Sequence, residues 1–169
     1  MKLKFLVDED FVNFKEPSMF IGFPECSFKC GADKCHNVML AKEPDIEVSK
    51  EEICERYISN PISKAIVFGG LEPFDTTLEV MSLVDTIRYK YEIEDPIVIY
   101  TGYTYNEIKE GYREGKGCNK IMAELWQDLL QYGNLYVKFG RYDPSLPSYH
   151  NDILGVTLAS DNQQVVRFK

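Results

Sequence analysis

Histidine is scarce in this chain, and so is tryptophan: there are two histidines, His36 and His150, and one tryptophan, Trp126, in 169 residues. Two imidazoles leave few candidates for a mechanism built on histidine acid–base chemistry. No G-x-S-x-G elbow, H-E-x-x-H helix or P-loop is present, so the signatures of serine hydrolases, zinc peptidases and P-loop nucleotide enzymes are all missing. No window approaches the ~18 consecutive apolar residues that span a bilayer. The opening "MKLKFLVDEDFVNF" turns acidic before a signal-type apolar run develops, which predicts a cytoplasmic chain. Positive charge is also short: 19 Lys and Arg face 27 Asp and Glu, a net charge of −8. An acidic chain is a poor non-specific partner for phosphates, so neither nucleic acid nor a membrane is expected as a partner. Internal repeats, low-complexity tracts and linkers are absent. The length suits one domain over 1–169 with a sizeable core.

What is present is a regular order of apolar runs and helical patterns. "SMFIGF" (18–23), "KAIVFGG" (64–70), "PIVIYTG" (96–102) and "NLYVKFG" (134–140) read as strands, nearly continuous in apolar character. Such strands suit a parallel sheet covered on both faces. Between them, 48–60, 76–91, 104–112 and 119–132 read as helices, the first three opened by the capping boxes Ser49/Glu52, Thr76/Glu79 and Thr104/Glu107. The expectation is an α/β fold with its core over about 17–140. Residues 141–152 read as a long loop, and 153–168 as a hairpin turning at "SDNQQ". The suggestive stretches then fall at equivalent places: the cysteines after "MFIGF", "GGLEP" after "AIVF", "TGY" after "IVIY" and "GRYD" after "YVKF". In parallel α/β folds, sites gather at the carboxyl ends of strands.

Three of the five cysteines lie within "CSFKCGADKCHN", spaced C-x3-C-x4-C at Cys26, Cys30 and Cys35. An odd, clustered set argues against a secreted disulfide framework and for metal or redox chemistry. Zinc is one reading, with His36 available as the fourth ligand; structural zinc takes four, and adjacent Cys35 and His36 fit one tetrahedral ion poorly. A [4Fe–4S] cluster is the other, with three thiolates leaving one iron open. Cys54 falls inside a helical pattern beside Ile53 and Tyr57, and Cys118 in the connector "EGKGCNK"; both read as non-ligands.

At these residues the chain resembles the radical S-adenosylmethionine superfamily. "CSFKCGADKCHN" is similar to its short cysteine loop, and "GGLEP" (69–73) to its glycine-glycine-acid-proline element. "YTGYTYNEI" (100–108), "GRYDPSL" (140–146) and "LASDNQQVV" (158–166) further resemble the activating proteins of anaerobic (class III) ribonucleotide reductase. The likeness runs from about residue 17 to the C-terminus. Two departures stand out. The family's loop has two residues between its second and third cysteines where this chain has "GADK", and the residue before the third cysteine, often aromatic in the superfamily, is Lys34.

The resemblance implies an incomplete parallel (β/α) barrel, since eight units need ~250 residues. It implies Cys26, Cys30 and Cys35 as cluster ligands and S-adenosylmethionine as cofactor. Lys34, Cys35 and His36 would lie along its adenine, Gly69 and Gly70 would admit its methionine end, and Glu72 would accept from its amino group. Tyr100 and Thr101 would line the ribose side. It also implies an oxidoreductase that raises a glycyl radical on the large subunit of anaerobic ribonucleotide reductase, fed by a flavodoxin- or ferredoxin-type electron donor. Other glycyl-radical activases, small-molecule radical enzymes and a non-enzymatic zinc or cluster module are the competing expectations.

Overall fold

The computed structural model describes residues 1–114 and 120–169, with 110–114 and 120–123 as backbone only. Cys118 and the side chain of Met122 therefore lie outside the described residues. The four apolar runs form β3 (Ser18–Phe23), β5 (Ala65–Gly70), β6 (Ile97–Tyr100) and β7 (Leu135–Phe139). They lie side by side in chain order, all parallel. Two antiparallel strands close the flanks, β2 (Phe5–Asp10) against β3 and β10 (Gln164–Phe168) against β7. The result is a mixed α/β domain around a six-stranded, mostly parallel sheet. Small two-stranded sheets join β1 (Lys2–Leu3) to β4 (Ile46–Glu47) and β8 (Tyr149–Asn151) to β9 (Val156–Leu158).

Because strand side chains alternate between faces, the parallel strands separate into two sets. Ile21, Phe68, Ile99 and Val137 point to the face covered by α1 (Lys50–Ser59), α2 (Thr77–Asp85), α3 (Tyr105–Glu114) and α4 (Lys120–Leu129). That side is the main core, and it holds Leu83, Val84, Ile108, Trp126 and Leu129 from the helices. Trp126 stacks on Phe74 with centroids 4.7 Å apart and gives its indole N–H to Thr77 Oγ1. Cys54 is fully buried here, an ordinary core thiol. The opposite face carries Val67, Val98 and Tyr136. It is covered by Phe14 from the loop after β2 and by Leu154 and Leu158 from the C-terminal segment.

Two of the three capping boxes take shape as caps. Ser49 Oγ accepts from Glu52 N–H at 3.0 Å, and Thr104 and Glu107 bond reciprocally. Thr76 caps nothing, because a 3₁₀ turn (Pro73–Thr76) precedes α2 and the Thr76 hydroxyl donates instead to Pro73 O. The expected C-terminal hairpin also differs. Its two apolar runs do not pair with each other: Val156–Leu158 pairs with β8, and Gln164–Phe168 adds to the open edge of β7. The five strands already paired offer β10 a larger sheet to join, whereas an isolated two-stranded hairpin is marginal in water.

Candidate functional site

At the carboxyl ends of the parallel strands, on the face away from the helices, the chain leaves a pocket of about 240 Å³. Its floor is the last outward-facing residue of β5, β6 and β7 (Gly69, Tyr100 and Lys138) together with Phe20 of β3. Its walls come from the connections that follow, with Cys26, Cys30, Cys35 and Asn37 on one side and Gly140, Arg141 and Tyr142 on another. Eight of the ten residues anticipated from sequence line this one cavity: Cys26, Cys30, Cys35, Gly69, Gly70, Glu72, Tyr100 and Thr101. Lys34 and His36 do not line it; both are exposed.

The first half of the cysteine loop is pinned. Glu72 N–H donates to Glu25 O at 2.7 Å, and Ser27 N–H donates to Asp75 Oδ2. Tyr103 gives its hydroxyl to Asp75 Oδ1 at 2.6 Å, and the Lys29 ammonium both donates to Tyr103 Oη and sits 4.3 Å above its ring. The second half is held mainly by itself. Gly31, in the left-handed region at φ +89°, starts a turn closed by Lys34 N–H donating to Gly31 O. That turn pushes Ala32, Asp33 and Lys34 into solvent. Cys30 and Cys35, on either side of it, both line the pocket. Asn37 Nδ2–H then donates to Gly70 O at 2.7 Å, and His36 packs against Tyr142 at 4.2 Å.

The glycine pair has a packing reason. Gly70 lies at φ +81°, and a Cβ there would stand 2.7 Å from Gly22 Cα on β3. Only a residue without a side chain lets β5 pass that close to the strand that launches the cysteine loop.

Glu72 is buried and accepts three hydrogen bonds. Its carboxylate accepts from Phe74 N–H (3.1 Å), Thr101 Oγ1 (2.7 Å) and Gly102 N–H (2.7 Å), so it ties the loop after β5 to the loop after β6. Burial pushes its carboxyl up to about 7, against the pull of those donors. Tyr100 gives its hydroxyl to Asn13 O at 2.6 Å, and burial raises its phenol beyond the usual range. Burial likewise pushes the Cys26 thiol up to about 11 and raises that of Cys30.

Lys138 gave no signal in the sequence, where a lysine in "YVKFG" reads as an outward strand position. It is 8% exposed and donates to Thr101 O and Gly140 O, both at 3.2 Å. No carboxylate pairs with it among the described residues. Burial pushes its ammonium down to about 8. Arg141, within the flagged stretch "GRYD" but given no role of its own, reaches the pocket while paired to Glu107 at 2.6 Å.

Three thiols at the mouth of a strand-end pocket, none in a disulfide, define a cysteine-ligated metal or cluster site on an α/β scaffold. Among the described residues, no three His, Cys, Asp or Glu side chains gather closely enough for a single metal ion. A cubane, whose thiolates bind different irons, is held by a wider set. The chain belongs to the 4Fe-4S single cluster domain family, whose model matches residues 18–166. It is thus an iron–sulfur protein. No curated protein and no solved structure gives a significant match. Among the described residues, no helix is long and apolar enough to cross a membrane.

Proposed function

We propose that this chain is a radical S-adenosylmethionine enzyme that activates a glycyl-radical protein, the large subunit of anaerobic ribonucleotide reductase. The carrying observation is the convergence of three thiols, a glycine pair, a buried acid and a buried unpaired ammonium in one strand-end pocket. The chain order of the four parallel strands, with helices on one face and the pocket on the other, supports reading the sheet as an incomplete (β/α) barrel.

The residues fit both groups. Cys26, Cys30 and Cys35 would hold the cluster, with no fourth cysteine among the pocket residues. A buried ammonium with no carboxylate at ion-pair distance is costly, and an amino-acid carboxylate would give Lys138 a direct partner where Glu72 acts only from further away. Glu72, with three donors already bound, keeps acceptor capacity at Oε2 for an ammonium such as that of methionine. When bound, the reduced cluster supplies one electron that splits the sulfonium carbon–sulfur bond, releasing methionine and a 5′-deoxyadenosyl radical able to take hydrogen from a glycine Cα. The chain binds, orients and excludes water: Tyr100 and Phe20 form an apolar floor, and Glu72 fixes the two loops that flank it. Proton transfer is not required of any side chain. A flavodoxin- or ferredoxin-type protein is the proposed electron donor.

Anaerobic reconstitution with iron and sulfide, followed by reduction with S-adenosylmethionine, tests the chemistry. Roughly four irons per chain and release of 5′-deoxyadenosine are expected. Addition of a class III reductase should give a glycyl radical by electron paramagnetic resonance. A loaded cluster that releases no 5′-deoxyadenosine sinks the enzyme reading; 5′-deoxyadenosine without a glycyl radical sinks the choice of partner.

A further inference from the structure

The pocket offers three aromatic rings, and two of them are committed elsewhere. Phe20 packs edge-on against Phe5 at 4.9 Å and fills the space beside Gly69. Tyr100 is held from below by its hydroxyl on Asn13 O and faces the Lys138 ammonium 5.7 Å away. Tyr142 differs. It stands in the loop after β7, lines the pocket, and is only half-buried. Its hydroxyl has no hydrogen-bond partner among the described residues, so its placement owes nothing to the phenol. Its ring is braced by His36, with centroids 4.2 Å apart at a 47° tilt. A braced ring with a spare face at the mouth of a pocket is a platform for a planar heteroaromatic group. The turn Gly31–Lys34 carries Lys34 out into solvent, so that position contributes no ring to the cavity.

We infer that Tyr142 is the ring on which the adenine of S-adenosylmethionine stacks, with His36 acting through it as a brace. The inference rests on the cofactor reading above. The pocket then meets its ligand at two ends: the buried Lys138 ammonium at the amino-acid end and the Tyr142 face at the purine end. Tyr142 is in this sense a specificity-determining residue, because it favours adenosyl compounds over amino acids of the same charge.

The test is equilibrium binding of S-adenosylmethionine and S-adenosylhomocysteine to the reconstituted holoprotein and its variants, with iron content and melting temperature measured alongside. Y142A is expected to weaken both ligands by roughly 5- to 150-fold, the range of one base–aromatic stack. Iron content should stay unchanged. Y142F should bind as the wild type does, since the hydroxyl is unpartnered, and H36A should lose less than Y142A. Wild-type affinity in Y142A overturns the inference. So does a loss in H36A as large as that in Y142A, which would mark a simple latch. Failure of the wild-type holoprotein to bind either ligand would bring down the cofactor reading itself, a result distinct from either of those.

Discussion

On the helix-covered face of the sheet, Ile97, Ile99, Leu135 and Val137 are completely buried beneath elements of nine or ten residues. On the other face, the cover is a loop bearing Phe14 and a short segment bearing Leu154 and Leu158. That lighter cover reaches Ala65, Val67, Val98 and Tyr136 but not the strand ends, where Gly69, Tyr100 and Lys138 line the pocket instead. The same strands thus serve two purposes. Where helices lie over them, every position goes to packing; where loops do, the last outward-facing residues of β5, β6 and β7 remain available for a ligand.

Matched truncations should expose this difference most strongly. Leu135 and Leu154 are both fully buried, one on each face. L135A should cost about 4 kcal/mol in denaturant unfolding, because helices cannot close over the void. L154A should cost nearer to 2 kcal/mol, because a short turn can collapse. Equal losses would break the contrast. Next in size is G70A. The left-handed backbone and the approach of Gly22 Cα at 2.7 Å should together cost about 3 kcal/mol and lower iron incorporation.

Lys138 should behave in the opposite sense. K138M removes a buried charge and should stabilise the cluster-free protein by about 2 kcal/mol at pH 7, while weakening S-adenosylmethionine binding. Its folded value is depressed from 10.5 to about 8, so the unfolded chain holds more protons between those limits. Wild-type stability therefore rises with pH across that window, and the advantage of K138M should shrink there. A gap that stays constant from pH 8 to 10.5 would show that Lys138 is not the buried cation described. The smallest effect is expected for N37A, which loses one partly screened hydrogen bond to Gly70 O: about 0.5–1 kcal/mol, with faster loss of iron to a chelator.

Much of the helix-covered face was legible in the sequence. Continuous apolar runs such as "KAIVFGG" announced buried parallel strands, and helical spacing with Ser49 and Thr104 caps located the crossovers. The site was legible wherever residue type was unusual for a loop, as with the cysteines and the glycine pair. Lys138 was not, because its meaning depends on which face a strand end leaves uncovered, a property of tertiary cover rather than of local pattern; Arg141 and Tyr142 fell within the flagged stretch "GRYD", but no individual role was assigned to either. Glu72 was found, but its three backbone-organising hydrogen bonds were not, since they depend on the neighbouring strand's loop. The flanking strands were misread for a related reason. Val156–Leu158 and Gln164–Phe168 look like each other's partners in sequence, yet the free edge of β7 lies far upstream.

The turn at Gly31–Lys34 uncouples distance along the chain from distance between ligands. Cys30 and Cys35 flank a tight reversal whose outer residues, Ala32, Asp33 and Lys34, are exposed, and both cysteines still line the pocket. Residues could be added or removed at that reversal without disturbing the thiols, much as a hem can be let out without altering the garment's fit. A recognition pattern that counts a fixed number of residues between the second and third cysteines is therefore blind to proteins of this kind, whereas one that asks for three thiols beside a strand-end glycine pair would still find them.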